Sequence, residues 1–169
     1  GQPKAEVAAH RLAKLNPYVE IVPLATRLSR DNAKEVFEGY EIVVDGTDSF
    51  NSRYLINDAC VLFDKVLVYG AIHQFEGQVS VFNLEGGPTY RCLFPEPPPA
   101  GTVPNCAEIG VVGVLPGIIG CMQALETIKV ITGTGDSLSG KLLLYDALSN
   151  GTKTLSLSAN PQSREIGEL

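Results

Sequence analysis

The sequence contains no G-x-G-x-x-G and no C-x-x-C pair, has two histidines, and carries fewer bases than acids, 13 Lys and Arg against 19 Asp and Glu. Each shortage excludes something. The net charge of -6 argues against nucleic acid as the main partner, because binding phosphates needs a basic face that releases counterions. Cys60, Cys92, Cys106 and Cys121 are too scattered for a disulfide framework, which points to a reducing, cytoplasmic compartment. The opening "GQPKAEVAAHRL" reads as an amphipathic helix rather than a signal peptide. The longest uncharged stretch, 109–125, holds Pro116, several glycines and Gln123 and only reaches the lower length limit of a membrane span. It reads as a buried helix, so no membrane partner is expected.

What remains is a chain of 169 residues, 44% hydrophobic, long enough for one core, and it reads as one domain over 1–169 without repeat or linker. Ala5, Ala8, Leu12 and Leu15 fall on one face of a first helix, and a strand is expected at 19–22. Ser29 or Asp31 can cap a short helix ending near Gly39, and "EIVV" then runs apolar without alternation, which suits a parallel strand buried on both faces. Leu55, Ala59, Leu62 and Phe63 make the stripe of the next helix. "VLVYGAI" and "GQVSVFNL" predict an antiparallel addition to the parallel sheet, closed by "EGGP". Residues 92–105 hold five prolines and almost no periodicity, which marks a crossover or lid. An apolar helix over 113–132, the strand "KLLLYDAL", a turn at Asn150-Gly151 and a strand "TKTLSLS" follow. The fold class is therefore α/β, a mixed sheet with parallel strands and antiparallel C-terminal additions. It opens on a helix, where a doubly wound nucleotide-binding fold opens on a strand and a glycine-rich turn, so its N-terminal βαβ unit reads as incomplete.

Two carboxylates stand where the strand "VVD" gives way to a helix, Asp45 and Asp48 in "VVDGTDSFNSR". Taken alone, Asp48 reads best as a helix N-cap and Asp45 as a strand-end residue that positions the loop. The alternative is that they hold something positive at the edge of a sheet. Cys60 and Cys121, inside apolar helical stretches, read as core fillers; His10 reads as solvent-facing and His73 as a polar residue at a strand end.

"VVDGTDSFNSRYLIND", "GAIHQFEGQVSVF", "YRCLFP", "NCAEIGVVGVLPGIIGCMQALETIKVITG" and "GKLLLYDAL", in this order, resemble the ThiF/MoeB/HesA-type adenylyltransferases, relatives of the ubiquitin-activating enzymes. The resemblance covers essentially the whole chain. It implies a Rossmann-like fold, of which this chain is the C-terminal two thirds, a partial adenylation domain without the family's glycine-rich ATP loop. The activity it implies is adenylation of the C-terminal glycine carboxylate of a ubiquitin-like sulfur carrier with ATP and Mg²⁺, in thiamine or molybdopterin cofactor biosynthesis. The partners it implies are that carrier and a second copy, as a homodimer. A non-catalytic docking module for the same carrier is the alternative from the binding class. A dehydrogenase is disfavoured by the missing G-x-G-x-x-G.

By motif position the resemblance makes Asp48 the Mg²⁺ holder and catalytic residue, with Ser49 beside it as a nucleotide contact. The hardness of Mg²⁺, which keeps waters and takes one or two carboxylates plus phosphate oxygens, suits an acid there. Lys4 stands where the family has a phosphate-contacting lysine; against the helix dipole it is misplaced unless it faces solvent or an anion. Cys106, in "NCAEIG", matches a cysteine that links covalently to the carrier in several members; a structural or merely exposed thiol is the alternative. Arg53 and Asn57 lie on one helix face near the nucleotide, where a phosphate or the carrier tail could meet them, as could a purely structural role. Many relatives bind a structural zinc through two C-x-x-C pairs. Here the first reads Thr89-Tyr90-Arg91-Cys92 and the second region, "NPQSREI", has no cysteine, so no zinc is expected and Cys92 is assigned a structural part.

Overall fold

The computed structural model describes residues 1–99 and 110–169. Helix α1 (Lys4–Leu15) and the short α2 (Ala33–Phe37) lead into strand β1 (Ile42–Asp45), helix α3 (Phe50–Leu62) and strand β2 (Val66–His73). Strand β3 (Glu76–Phe82), helix α4 (Tyr90–Leu93), the long helix α5 (Leu115–Thr132), strands β4 (Lys141–Asp146) and β5 (Gly151–Ser156) and a closing 3₁₀ turn (Pro161–Arg164) complete it. The five strands form one sheet in sequence order. β1 and β2 run parallel, with Asp45 opposite Tyr69, and the pairs β2–β3, β3–β4 and β4–β5 are antiparallel. The mixed sheet is therefore the expected one: β1, α3 and β2 make a βαβ unit because parallel strands need a crossover, and hairpins supply the rest.

Each sheet face has its own core. On one, Tyr69, Phe82 and Leu67 pack against Tyr54, Ala59 and Cys60 of α3 and Tyr90 of α4. Four aromatic rings surround Tyr90, with centroids 5.1 to 6.0 Å away, so this short helix is held by the stacking of its side chain rather than by its length. On the other face Leu115 and Ile119 of α5 pack on Val79 and Tyr145. Gly77 is required there, since a Cβ at that position would meet the Ile119 side chain at 2.2 Å.

Several expectations are corrected. Residues 19–22 form no strand, because a strand needs a ladder partner and none of the described residues pairs with them; Val19 and Val22 are exposed. None of the α1 side chains is buried, so its apolar stripe is uncovered among the described residues. β1 is not buried on both faces: Val44 is exposed, and β1 is one of the two edge strands of the sheet formed by the described residues. The N-cap of α2 is Asn32, whose Oδ1 accepts from the Ser29 amide, so neither Ser29 nor Asp31 caps it. The buried face of α3 is carried by Tyr54, Ile56, Asn57, Ala59 and Cys60, while Leu62 is exposed; the polar Asn57 is buried because its Oδ1 accepts from the Tyr90 amide, at 2.8 Å, and starts α4. Cys60 is a core filler as expected, and Cys121 is not. The buried face of α5 runs through Leu115, Ile119, Gln123 and Glu126, which turns Cys121 out to the surface. Both histidines are exposed, His73 at the end of β2.

Among the described residues no helix is long and apolar enough to cross a membrane.

Candidate functional site

The carboxyl end of β1 turns into α3 through Gly46, Thr47, Asp48 and Ser49. Asp45, 1% exposed, folds its side chain back so that Oδ1 accepts from the Thr47 amide at 2.8 Å, the short-range bond that makes aspartate suit such turns. Arg53, one turn into α3 and itself buried, donates from Nη2 to the Thr47 carbonyl at 3.2 Å and lies 5.6 Å from the Phe50 ring centroid. The peptide at Thr47 is thus held from both sides. Burial pushes the Asp45 carboxyl up, opposed by the hydrogen bond from the Thr47 amide and by the Arg53 charge.

Ser49 is the N-cap of α3: its Oγ accepts from the Ser52 amide at 3.1 Å and donates to the Ser52 hydroxyl at 2.8 Å. The residue that reads as the cap from sequence alone, Asp48, is therefore free of that duty. Its carboxylate is exposed and has no partner among the described residues. Asp45 Oδ2, Thr47 Oγ1, Arg53 Nε and Tyr90 Oη are buried beneath without a hydrogen-bond partner among the described residues, which leave these polar atoms of this end of the sheet unsatisfied. The Arg53 charge and the phenol lie close enough to influence one another, but burial dominates and pushes Tyr90 up to about 12.

Lys4 is the first residue of α1, exposed and unpartnered among the described residues. Ser49 lies next to Asp48, with its hydroxyl already engaged in the cap. Arg53 is turned inward toward the loop backbone rather than outward. Cys106 lies outside the described residues.

The fit to a cation follows from the donor set. Among the described residues no three acidic, histidine or cysteine side chains gather into a cage made by protein alone. One free carboxylate at the carboxyl end of a parallel strand suits Mg²⁺, which binds through one or two protein carboxylates and fills its octahedron with water and phosphate oxygens. Zinc does not fit the donors at α4. Cys92 Sγ lies 3.1 Å from Ser163 Oγ and accepts from the Thr89 and Asn160 amides, both at 3.3 Å; Thr89 Oγ1 donates to Ser163 Oγ at 2.9 Å. One sulfur and two hydroxyls, already bonded to one another, lack the nitrogen and sulfur donors of tetrahedral zinc. Burial acts to raise the Cys92 thiol, but the Ser163 hydroxyl and the two amides outweigh it and set it below the ordinary range.

The ThiF family matches residues 1–165. This chain belongs to that family. It is 51% identical to the sulfur carrier protein adenylyltransferase of Thermus thermophilus, over 99% of this chain and 64% of that protein. It is 47% identical to the SAMP-activating enzyme E1 of Haloferax volcanii, over 99% of this chain and 62% of that protein, and 51% identical to the adenylyltransferase and sulfurtransferase MOCS3 of Aedes aegypti, over 93% and 36%. The ThiF-family chain thus spans under two thirds of these relatives. Among solved structures, E. coli MccB with AMPCPP and selenomethionine MccA superposes with a TM-score of 0.79 at 15% identity, covering 95% of this chain and 50% of MccB, a likeness of fold.

Sequence reasoning missed three parts of this arrangement. Ser49 rather than Asp48 as the cap was available from the helix-cap preferences alone, which rank serine with aspartate. Thr89 and Ser163 show in the sequence only as cysteine positions that are not cysteine, and their meeting across 74 residues is a tertiary fact. Gln123, the lone amide in an apolar helix, signalled burial of a polar group without saying what it bonds.

Proposed function

We propose that this ThiF-family chain belongs to the catalytic domain of an enzyme that adenylates the C-terminal glycine carboxylate of a ubiquitin-like sulfur carrier, with thiamine or molybdopterin cofactor biosynthesis as its setting. The observation that carries the reading is the unspent carboxylate of Asp48, exposed at the carboxyl end of the parallel pair while its neighbours Asp45 and Ser49 are consumed by the turn and the cap. The chemistry has a plain electrostatic difficulty: an ionised carboxylate must attack the α-phosphate of ATP, bringing two anions together. Mg²⁺ bound there would neutralise phosphate charge. Asp48 would hold it, Lys4 and the Ser49 backbone would meet phosphate oxygens, and Arg53 would act by holding the Thr47 peptide behind Asp48. No general base is needed, since the carrier's carboxylate is already ionised at neutral pH, which fits the exposed positions of His10 and His73.

Cys106 is the proposed acceptor of the activated carboxyl group in a subsequent step: its thiolate attacks the acyl-adenylate carbonyl, AMP leaves and a thioester forms. A homodimer in the cytoplasm is part of the same proposal, and the exposed Leu125, Ile128 and Ile131 on α5 support a partner-covered face.

The test is carrier-dependent ATP-pyrophosphate exchange, on this chain and on one extended N-terminally to the length of the Thermus relative. Exchange in the extended protein that is lost on Asp48→Asn is the expected result. Carrier binding without exchange in either form would overturn adenylation and leave a docking module.

A further inference from the structure

We propose that Gln123 is a positioning residue for the Asp48 loop, tying it through the sheet to α5; the catalytic part of this inference rests on the adenylation reading above. Gln123 is buried on a helix face whose preceding members, Leu115 and Ile119, are apolar. A buried amide on such a face costs free energy unless it is hydrogen-bonded. Its Nε2 donates to the Asp45 carbonyl at 2.7 Å and approaches the Val68 carbonyl at 3.3 Å, so a single NH₂ group bridges β1 and β2. Room for it exists because residue 70 is glycine: a Cβ there would stand 2.3 Å from the Gln123 amide carbon. Two independent features, an amide of the right reach and a missing side chain opposite it, thus serve one contact.

The position of that contact gives it a role. The Thr47 peptide is fixed by Asp45 and Arg53, two and six residues away, and those groups travel with the loop. Gln123 reaches the same stretch from 78 residues away. It bonds the last carbonyl of β1, from which Gly46, Thr47 and Asp48 extend, and so sets where that loop begins relative to the helix on the opposite sheet face. A misplacement on the order of 1 Å can cost a rate about a hundredfold. Gln123 therefore specifies the placement of the Asp48 carboxylate without touching substrate.

The experiment uses three arms. In the wild-type protein, NMR should find the Gln123 side-chain amide protons protected from solvent exchange; free exchange would overturn the proposal directly. In Gln123→Met, which keeps length and removes the donor, and in Gly70→Ala, which keeps the donor and takes its space, the Thr47 backbone amide should exchange about tenfold faster while those of β3, β4 and β5 are unchanged. In the same variants of the extended protein, kcat for carrier-dependent ATP-pyrophosphate exchange should fall about tenfold, with the half-saturating carrier concentration within about twofold of wild type. Acceleration spread evenly over the sheet, or kinetics that match wild type, would reduce Gln123 to a packing residue and sink the idea. If the wild-type extended protein shows no exchange activity, the adenylation reading fails, and the two hydrogen-exchange arms still decide whether the tie exists.

Discussion

The loop after β1 and the cluster around Cys92 are built from the same materials, short polar side chains at the ends of elements, and they use them in opposite ways. Around Cys92 every partner faces inward: Thr89, Asn160 and Ser163 bond the sulfur or one another and fasten the C-terminal 3₁₀ turn to α4. After β1 the inward bonds stop one residue short, and Asp48 is left over. A polar group consumed by its neighbours stabilises the fold and can do little else, whereas one held in place yet unbonded is available to a ligand. The difference also marks what became of a metal position. Where many relatives in the resemblance hold a structural zinc, this chain has one thiol and two hydroxyls bonded to one another, a donor set that does not fit tetrahedral zinc.

Four measurements break or sharpen that contrast. The largest effect is expected on the inward side: Tyr90→Ala removes the ring that four aromatic neighbours surround and should lower unfolding free energy by about 3–5 kcal/mol in chemical denaturation. Asp48→Asn should behave in reverse, with stability unchanged within about 0.5 kcal/mol and carrier-dependent exchange in the extended protein reduced by about a hundredfold or more. A variant that loses stability instead would show that Asp48 is structural and that the contrast is false. Next comes Ser163→Ala, which removes the acceptor of the Thr89 hydroxyl and a hydrogen-bond partner of Cys92, for an expected loss of about 1–3 kcal/mol without effect on exchange.

The smallest effect is a pH dependence, and it separates the half-buried Cys92 from the buried Cys60. Cys92 is depressed below 9.0, so its contribution to stability is fully present above that value and fades as pH falls through the folded pKa. Cys60, pushed by burial up to about 12, does the opposite: its contribution is intact below 9.0 and is lost as pH rises from there toward about 12. Alkylation followed by mass spectrometry should label Cys92 in the folded protein, while Cys60 stays unmodified until the protein unfolds. Equal labelling of Cys92 and Cys60 in the folded protein would contradict the inward-facing account of the Cys92 cluster.

Much of the architecture was legible because it rests on period and local chemistry. The unalternating "EIVV", the two runs around "HQFE" and the apolar stretch after Gly113 each correspond to an element of the expected type. Errors fell where a segment's state depends on a neighbour. The stretch 19–22 has strand-forming residues and no strand beside it. The stripe of α3 was misplaced because Asn57, polar by nature, is drawn inward by the Tyr90 amide. Cys121 looked like core because a helix that is apolar all round does not announce which side faces the sheet. At the candidate site the motif located the loop, and the division of labour within it, Asp45 to the turn, Ser49 to the cap and Asp48 to neither, required coordinates.

By itself the sequence determined the family, the mixed sheet and the candidate loop, since ordered motifs and hydrophobic period are properties of neighbouring residues along the chain. Only the tertiary structure decided that Thr89 and Ser163 close around Cys92 and that Gln123 meets Gly70. These are contacts between residues far apart in the chain, and hydrogen-bond satisfaction is settled by what packing brings within about 3 Å.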